Sequence, residues 1–92
     1  MIKRVFEITS EAGIHARPAT TLVNTAMVFD CDIQLTAFKK TVDFKSIMGV
    51  MSLGIYRGSC IEITCNGQDE KEAIEALTEQ IVNLKLGHEV KI

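Results

Sequence analysis

Residues 2–27 read IKRVFEITSEAGIHARPATTLVNTAM and change their hydrophobic period from two to 3.6 within one short stretch. In residues 2–9 apolar and polar side chains alternate, which is typical of a half-buried strand. After a polar turn at residues 10–13, apolar residues recur at helical spacing. Because Pro18 is tolerated only in the first turn of a helix, this helix should begin at residue 15 or 16. The fold therefore begins with a strand followed by a helix.

The rest of the chain predicts three more strands and two more helices. The predicted elements are strands at 32–36, 41–44 and 61–65, a one- or two-turn helix within 46–53, and a helix that opens at 69–72 and stops before Gly87. The last helix has an apolar stripe of Ala73, Ile74, Leu77, Ile81 and Leu84. The order β-α-β-β-α-β-α predicts a single α+β domain over residues 1–92, with helices on one face of a sheet.

Two segments fit this pattern less well. The link Phe38-Lys39-Lys40 is short enough for a hairpin but lacks the Asn-Gly chemistry that tight turns favour. Residues 88–92 follow the stop signal at Gly87, and we expect them to form a mobile tail in which His88 is solvated.

The composition is that of a small globular domain. Of the 92 residues, 47% are hydrophobic and 24% charged, which is ordinary for a soluble protein. With 10 Lys and Arg against 12 Asp and Glu, the net charge is −2, so we expect no direct contact with nucleic acid. The apolar runs fall far short of the ~20 residues that span a bilayer, so no membrane insertion is expected. In Met1–Glu7 charged residues interrupt the apolar run at once, so no secretory signal is expected, which favours a cytoplasmic protein.

The three cysteines, Cys31, Cys60 and Cys65, match no zinc or Cys-x-x-Cys spacing. Their number allows one disulfide, but a reducing cytosol favours free and mostly buried thiols. With only His15 and His88 beside them, we predict no dedicated metal site and no cofactor.

The most informative chemistry lies at the start of the first helix, in Gly13-Ile14-His15-Ala16-Arg17-Pro18-Ala19. Taken without its neighbours, His15 could be an ordinary surface histidine near a helix cap. However, the helix N-terminus at Ala16 and Arg17 offers free N–H groups and partial positive charge for a phosphate-like anion. Arg17 adds a permanent cation. Phosphoryl transfer depends on positioning and charge stabilisation, so His15 is a plausible phosphoryl acceptor without a metal.

The same stretch, extended to Thr20, resembles the active-site motif of HPr, the histidine-containing phosphocarrier family of the bacterial sugar phosphotransferase system. A second block, KSIMGVMSLG at 45–54, resembles the regulatory segment of that family. The two blocks have the family's mutual spacing, and the element order agrees with its fold. The resemblance implies an open-faced sandwich, in which three helices cover one face of a four-stranded antiparallel sheet.

The resemblance also implies a phosphoryl carrier with a covalent phosphohistidine intermediate, rather than a stand-alone enzyme. His15 would accept the phosphoryl group on Nδ1 from enzyme I, which is charged by phosphoenolpyruvate, and pass it to IIA domains of sugar permeases. Arg17 would stabilise the phosphoryl group and help to dock the partners. We expect the carrier to act as a monomer.

Ser46 could serve only as the N-cap of a short helix. The resemblance points instead to the low-GC Gram-positive type, in which HPr kinase/phosphorylase modifies this serine. The resemblance implies that the serine-phosphorylated form would slow transfer from enzyme I and act as corepressor of the catabolite-control transcription factor. The apolar residues of 47–53 cannot all face inward, so some should form an exposed docking patch. The predicted docking residues are Thr20, Lys45, Ile47, Met48 and Met51.

Two other interpretations remain open on sequence grounds. One is a regulatory module that works only through Ser46, like a non-transporting HPr-like paralogue that lacks the active histidine. The other is an α+β interaction domain in which both motifs are structural caps. The chain also departs from the family pattern at Ala12, Asn24 and Met27, and at Phe38-Lys39 in place of an Asn-Gly-like turn.

Overall fold

The computed structural model describes residues 1–91, which form five strands and three helices in the order β-α-β-β-α-β-α-β. The strands are β1 (Ile2–Ile8), β2 (Asp32–Ala37), β3 (Lys40–Asp43), β4 (Cys60–Asn66) and β5 (Gly87–Val90), and the helices are α1 (Ala16–Met27), α2 (Ile47–Ser52) and α3 (Glu70–Asn83). The strands pair antiparallel in the order β3-β2-β4-β1-β5. The predicted α+β class and the start of the first helix are confirmed.

The predicted four-stranded sheet is wrong by one strand, because residues 87–90 form β5 where a mobile tail was expected. β5 pairs with the outer edge of β1, with Gly87 opposite Ile8. Only glycine fits there, since a Cβ at Gly87 would collide with the carbonyl oxygen of Glu7. The Glu7 carboxylate lies 3.5 Å from His88 Nε2 across the new pair. Ile92, at the end of the predicted tail, lies outside the described residues.

One face of the sheet is buried under the helices. Alternate strand residues point into the core, among them Phe6, Ile8, Ile33, Leu35, Ile61 and Ile63. They meet the apolar stripes of the helices, which include Leu22, Val23, Ile74, Leu77 and Ile81. Each such side chain contributes about 1.5–3 kcal/mol by its burial. Leu84, predicted to continue the last stripe, is 38% exposed because α3 ends at Asn83 and the chain then turns away.

The β2–β3 hairpin forms without the favoured turn residues. Phe38 and Lys39 both take positive φ angles, of 54° and 64°, as a two-residue type I′ turn requires. The flanking pairs are Ala37 with Lys40 and Thr36 with Thr41, whose hydroxyl groups lie 2.8 Å apart. The hairpin therefore carries a bulky aromatic residue in a conformation that glycine or asparagine normally adopts.

The helices of the described chain are short. None within residues 1–91 combines the length and the apolar character needed to cross a membrane.

Candidate functional site

His15 is the N-cap of α1, and its imidazole is exposed. Its backbone is extended, with φ −90° and ψ −173°, and its carbonyl accepts the first helical hydrogen bond from the N–H of Ala19 at 3.0 Å. The side chain makes no capping hydrogen bond. The residue therefore begins the helix with its backbone alone, and among residues 1–91 neither ring nitrogen has a hydrogen-bond partner.

The start of α1 presents unused donors beside this imidazole. Within residues 1–91, the N–H groups of Ala16 and Arg17 donate to no acceptor, and Pro18 has no N–H. The Arg17 guanidinium is exposed and forms no ion pair with a described carboxylate. Free N–H groups at the positive end of a helix and a free guanidinium favour an anion. The structure thus places the three predicted phosphoryl-binding residues next to one another.

The loop before His15 rests directly on the segment that follows α2. Gly13 has φ +63°, and a Cβ there would collide with the Ile55 carbonyl oxygen and lie 2.8 Å from Tyr56 Cα. The Ile14 N–H donates to the same Ile55 carbonyl at 3.2 Å. Gly13 is therefore required both for its backbone angle and for this close approach.

The end of the chain supports the other side of the loop. The Leu86 carbonyl accepts hydrogen bonds from the N–H groups of Thr9 at 2.9 Å and Ser10 at 3.2 Å. A shallow depression of about 300 Å³ lies here, lined by Ser10, His15, Arg17, Pro18, Thr21, Leu84 and Leu86. The sequence did not predict Leu84 and Leu86 as part of the site. No motif marks a residue that contributes a backbone carbonyl or an apolar lining side chain.

Ser46 is the half-buried N-cap of α2. Its Oγ accepts a hydrogen bond from the N–H of Gly49 at 3.0 Å, and its carbonyl accepts from Val50 at 3.0 Å. The structural part of the prediction is therefore confirmed: Ser46 caps the short helix.

Three of the predicted docking residues form an exposed apolar patch on α2. Ile47 is 40% exposed, Met48 83% and Met51 39%, whereas Val50 and Leu53 are buried. Thr20 is exposed on the neighbouring α1, and its hydroxyl donates to the carbonyl of Ala16 at 2.8 Å. We call Thr20, Ile47, Met48 and Met51 the α1–α2 patch.

Lys45 has a different environment from the rest of the predicted docking set. Its ammonium group donates to the carbonyl of Phe29 at 2.7 Å, just beyond the C-terminal end of α1. Since the segment after α2 meets Ile14 at the other end of α1, the two helices run in opposite directions. Ser46 thus lies toward the C-terminal end of α1, whereas His15 lies at its N-terminal end. Both Ser46 and His15 lie beside the α1–α2 patch, but they do not lie beside each other.

The cysteines lie apart from these residues. All three are free, with Cys31 and Cys65 buried and Cys60 exposed. Burial raises the pKa of the Cys65 thiol to about 12, and burial and the nearby Asp69 raise that of Cys31. Both buried thiols are therefore protonated and poorly nucleophilic. Within residues 1–91, no group of three or more His, Cys, Asp or Glu side chains is arranged to hold a metal ion.

Comparison with known proteins identifies a family. Residues 2–83 match the family model described as the PTS HPr component phosphorylation site. The histidine-containing phosphocarrier protein of Mycoplasma is 36% identical, with a TM-score of 0.92 over 94% of this chain and 98% of that one. The phosphocarrier protein HPr of Bacillus anthracis is 43% identical, with a TM-score of 0.80 over 86% of this chain and 94% of that one.

The chain also resembles Crh, a catabolite repression protein of Bacillus subtilis, whose structure is a domain-swapped dimer. That match has 36% identity and a TM-score of 0.71, and it covers 90% of this chain and 95% of the other. The family match over nearly the whole chain, together with these structural matches to Gram-positive proteins, agrees with the geometry at His15. The chain therefore belongs to the HPr family of phosphocarrier proteins of the bacterial sugar phosphotransferase system.

Proposed function

We propose that this protein is a cytoplasmic phosphocarrier in which His15 Nδ1 accepts a phosphoryl group from phosphorylated enzyme I and passes it to IIA domains of sugar permeases. The observation that carries the proposal is that the His15 imidazole, the N–H groups of Ala16 and Arg17 and the Arg17 guanidinium lie together without a hydrogen-bond or ion-pair partner within residues 1–91. A side chain that served only as a cap would use its ring nitrogens within the protein.

The chemistry needs little more than these groups. The Nδ1 lone pair forms a bond to phosphorus as the bond between phosphorus and the donor group breaks, and that electron pair leaves with the donor. The three phosphoryl oxygens then lie near the N–H groups of Ala16 and Arg17 and near the guanidinium, which stabilise their charge. Transfer to the next protein repeats this displacement from the other side. An exposed site suits a carrier because both partners must reach the same nitrogen.

Incubation with phosphoenolpyruvate and purified enzyme I tests this function. We expect an acid-labile, base-stable gain in mass, as a phosphohistidine gives. His15→Ala should abolish the gain, whereas His88→Ala should retain it, since His88 faces Glu7 on the sheet edge. An absence of labelling in the wild type, or labelling that survives His15→Ala, would contradict the proposal.

We also propose that HPr kinase/phosphorylase modifies Ser46 and that this couples the protein to the catabolite-control transcription factor. A phosphate would add about −1.5 to −2 charge, and its oxygens could accept the Gly49 N–H bond that Oγ now accepts. The helix would therefore tolerate the modification. Because His15 lies at the opposite end of α1 from Ser46, the added charge would act on partners at the α1–α2 patch rather than on the imidazole.

Ser46→Asp tests this regulation, because the carboxylate adds charge at the cap. We expect slower phosphorylation of His15 by enzyme I. Ser52→Asp is the matched control, because it adds the same charge at the other end of α2, where the Ser52 hydroxyl bonds to the Gly49 carbonyl. Equal rates for both variants and the wild type would contradict regulation through the Ser46 position.

A second candidate is a regulatory module that acts through Ser46 alone. The similarity to Crh supports it. The intact His15, Arg17 and Pro18 favour the carrier, and the labelling experiment separates the two. We propose that the carrier acts as a monomer and contacts enzyme I, the IIA domains and the transcription factor through the α1–α2 patch, with Lys45 at its margin.

A further inference from the structure

Two exposed aromatic rings from different parts of the chain stack on each other near the His15 loop. The rings of Phe38 and Tyr56 have centroids 5.4 Å apart and planes inclined by only 13°. Phe38 lies in the β2–β3 turn and Tyr56 in the segment between α2 and β4, and they are 46% and 61% exposed. The pair lies outside the core, and stability through burial does not explain it.

The ring of Phe38 is held in place against the preference of its own backbone. Its φ of 54° is rare for a bulky residue, and the turn type favours Asn-Gly. Strain of this kind persists where the surrounding contacts fix the residue. The stacking partner Tyr56 is the contact that the structure provides.

Tyr56 connects this pair to the histidine through the backbone. Its Cα lies directly beneath Gly13, and the preceding carbonyl, of Ile55, accepts the Ile14 N–H bond. On its other side, Tyr56 donates its N–H to Oγ of the buried Ser59 at 3.1 Å and accepts the Ser59 N–H at 3.0 Å. The hydrogen bonds to Ser59 and the ring stack with Phe38 therefore both hold the Ile55–Tyr56 backbone that contacts the His15 loop.

We propose that Phe38 and Tyr56 are positioning residues for phosphoryl transfer, which hold the Ile55–Tyr56 backbone against Gly13 and so fix the imidazole of His15 relative to the free N–H groups of α1. The proposal rests on the proposed phosphocarrier function. Neither ring touches the phosphoryl group; each acts through the backbone beneath the loop.

The variant Phe38→Asn separates this role from simple stabilisation. Asparagine favours the positive φ of the turn, so the hairpin is retained while the ring is lost. We expect kcat for phosphorylation by enzyme I to fall by about three- to tenfold, with KM unchanged, less than the ~100-fold loss that a 1 Å misplacement can cause. Tyr56→Leu should lower kcat to a similar extent. Tyr56→Phe should keep the wild-type kcat because it keeps the ring.

Amide hydrogen exchange gives a readout that does not require phosphorylation. The Ile14 N–H should exchange several-fold faster in Phe38→Asn and Tyr56→Leu, while the Ile63 N–H in the central strand β4 stays as in the wild type. If the wild type gains no phosphoryl group, the proposed function fails, and exchange at Ile14 still decides whether the stack supports the loop.

Three results would overturn the proposal. An unchanged kcat in Phe38→Asn would show that the stack does not affect the transfer step. A rise in KM alone would mean that the rings contact enzyme I instead of supporting His15. A loss in Tyr56→Phe as large as that in Tyr56→Leu would assign the effect to the phenol hydroxyl rather than to the stack.

Discussion

The first turns of α1 and α2 differ in how they use their N-cap residues. At α1 the His15 side chain makes no capping hydrogen bond, and the N–H groups of Ala16 and Arg17 have no acceptor in the described part of the chain. At α2 the N–H groups of Ile47 and Met48 likewise have no acceptor within residues 1–91, but the Ser46 hydroxyl accepts the N–H of the third helical residue, Gly49. The two helix starts therefore differ in their cap side chains: the His15 imidazole makes no capping hydrogen bond to α1, whereas the Ser46 hydroxyl is bonded to α2.

This difference suggests that stability and function are divided between the two helix starts. An uncapped N-terminus is less stable than a capped one by about 0.5–2 kcal/mol, and α1 tolerates it because Leu22, Val23 and Ala26 bury its inner face. The six-residue α2 has only Val50 fully buried, so it depends more on its cap. Substitutions at the two ends should then have opposite consequences for stability and for phosphoryl transfer.

The largest effect is expected from Gly13→Ala, which would disturb the contact between the His15 loop and the Ile55–Tyr56 backbone. Positive φ alone costs about 1 kcal/mol, and the collision with the Ile55–Tyr56 backbone should add a further ~1–3 kcal/mol. We expect a loss of about 2–4 kcal/mol in the free energy of unfolding, measured with urea, and slower phosphorylation by enzyme I.

Gly54→Ala is the matched control for this prediction. Gly54 has φ +61°, but a Cβ there meets no atom within 4 Å, so only the backbone cost of about 1 kcal/mol applies. Equal losses for Gly13→Ala and Gly54→Ala would show that the close approach beneath His15 contributes nothing.

The next effect compares the caps themselves. Ser46→Ala removes the acceptor for Gly49 and should reduce the free energy of unfolding by about 1 kcal/mol. His15→Ala removes no hydrogen bond within the described chain and should stay within about 0.5 kcal/mol of the wild type. Urea unfolding of both variants tests this. A loss in His15→Ala as large as that in Ser46→Ala would mean that the imidazole stabilises α1.

Much of this site could be predicted from the sequence because local rules determine it. Pro18 must lie in the first turn of its helix, which places His15 at the cap, and a serine before an apolar helix predicts the cap at Ser46. The exposure of Met48 also follows, since a two-turn helix has too few inward positions for five apolar residues.

Other features depend on contacts between distant segments. The four residues of β5 are too few to show a strand period, and only the free edge of β1 makes them a strand. The left-handed backbone of Phe38 could not be predicted, because its residue type disfavours that conformation and a ring 18 positions along the chain fixes it. The carbonyl contacts of Leu86 have no side-chain signal at all.

The start of α3 extends the comparison, and pH tests it. The Asp69 carboxylate accepts the N–H groups of Asp30 at 2.8 Å and Cys31 at 3.0 Å instead of capping its own helix. The bond from Asp30 is the main reason that its pKa lies below the ordinary 3.8. A lowered folded-state pKa contributes stability that is fully present above that ordinary value and is lost as the pH falls through the folded value.

Asp69→Asn should therefore flatten the acid side of the stability curve, below about pH 4, measured as urea midpoints across pH. Glu72→Gln, an exposed acid in the same first turn with no hydrogen bond in the described chain, is the control and should leave the slope unchanged. If the stability of Asp69→Asn falls as steeply below pH 4 as that of the wild type, the Asp69 carboxylate does not cause the acid sensitivity.

The smallest effect is expected from Gly49→Ala, which tests how closely the Ser46 cap is packed. Alanine favours a helix over glycine by about 0.5–1 kcal/mol, but its Cβ would lie 3.3 Å from Ser46 Oγ and 3.4 Å from Val42 Cβ. These effects oppose each other, so we expect a change within about 0.5 kcal/mol.

In the Ser46→Ala background the crowding is relieved, and the same Gly49→Ala substitution should stabilise the protein by nearly the full helix preference. The difference, measured in a double-mutant cycle, reports coupling between the hydroxyl and position 49. Additive effects would mean that the Ser46 hydroxyl and a Cβ at position 49 do not crowd each other, and that α2 would not hinder a phosphate added at Ser46.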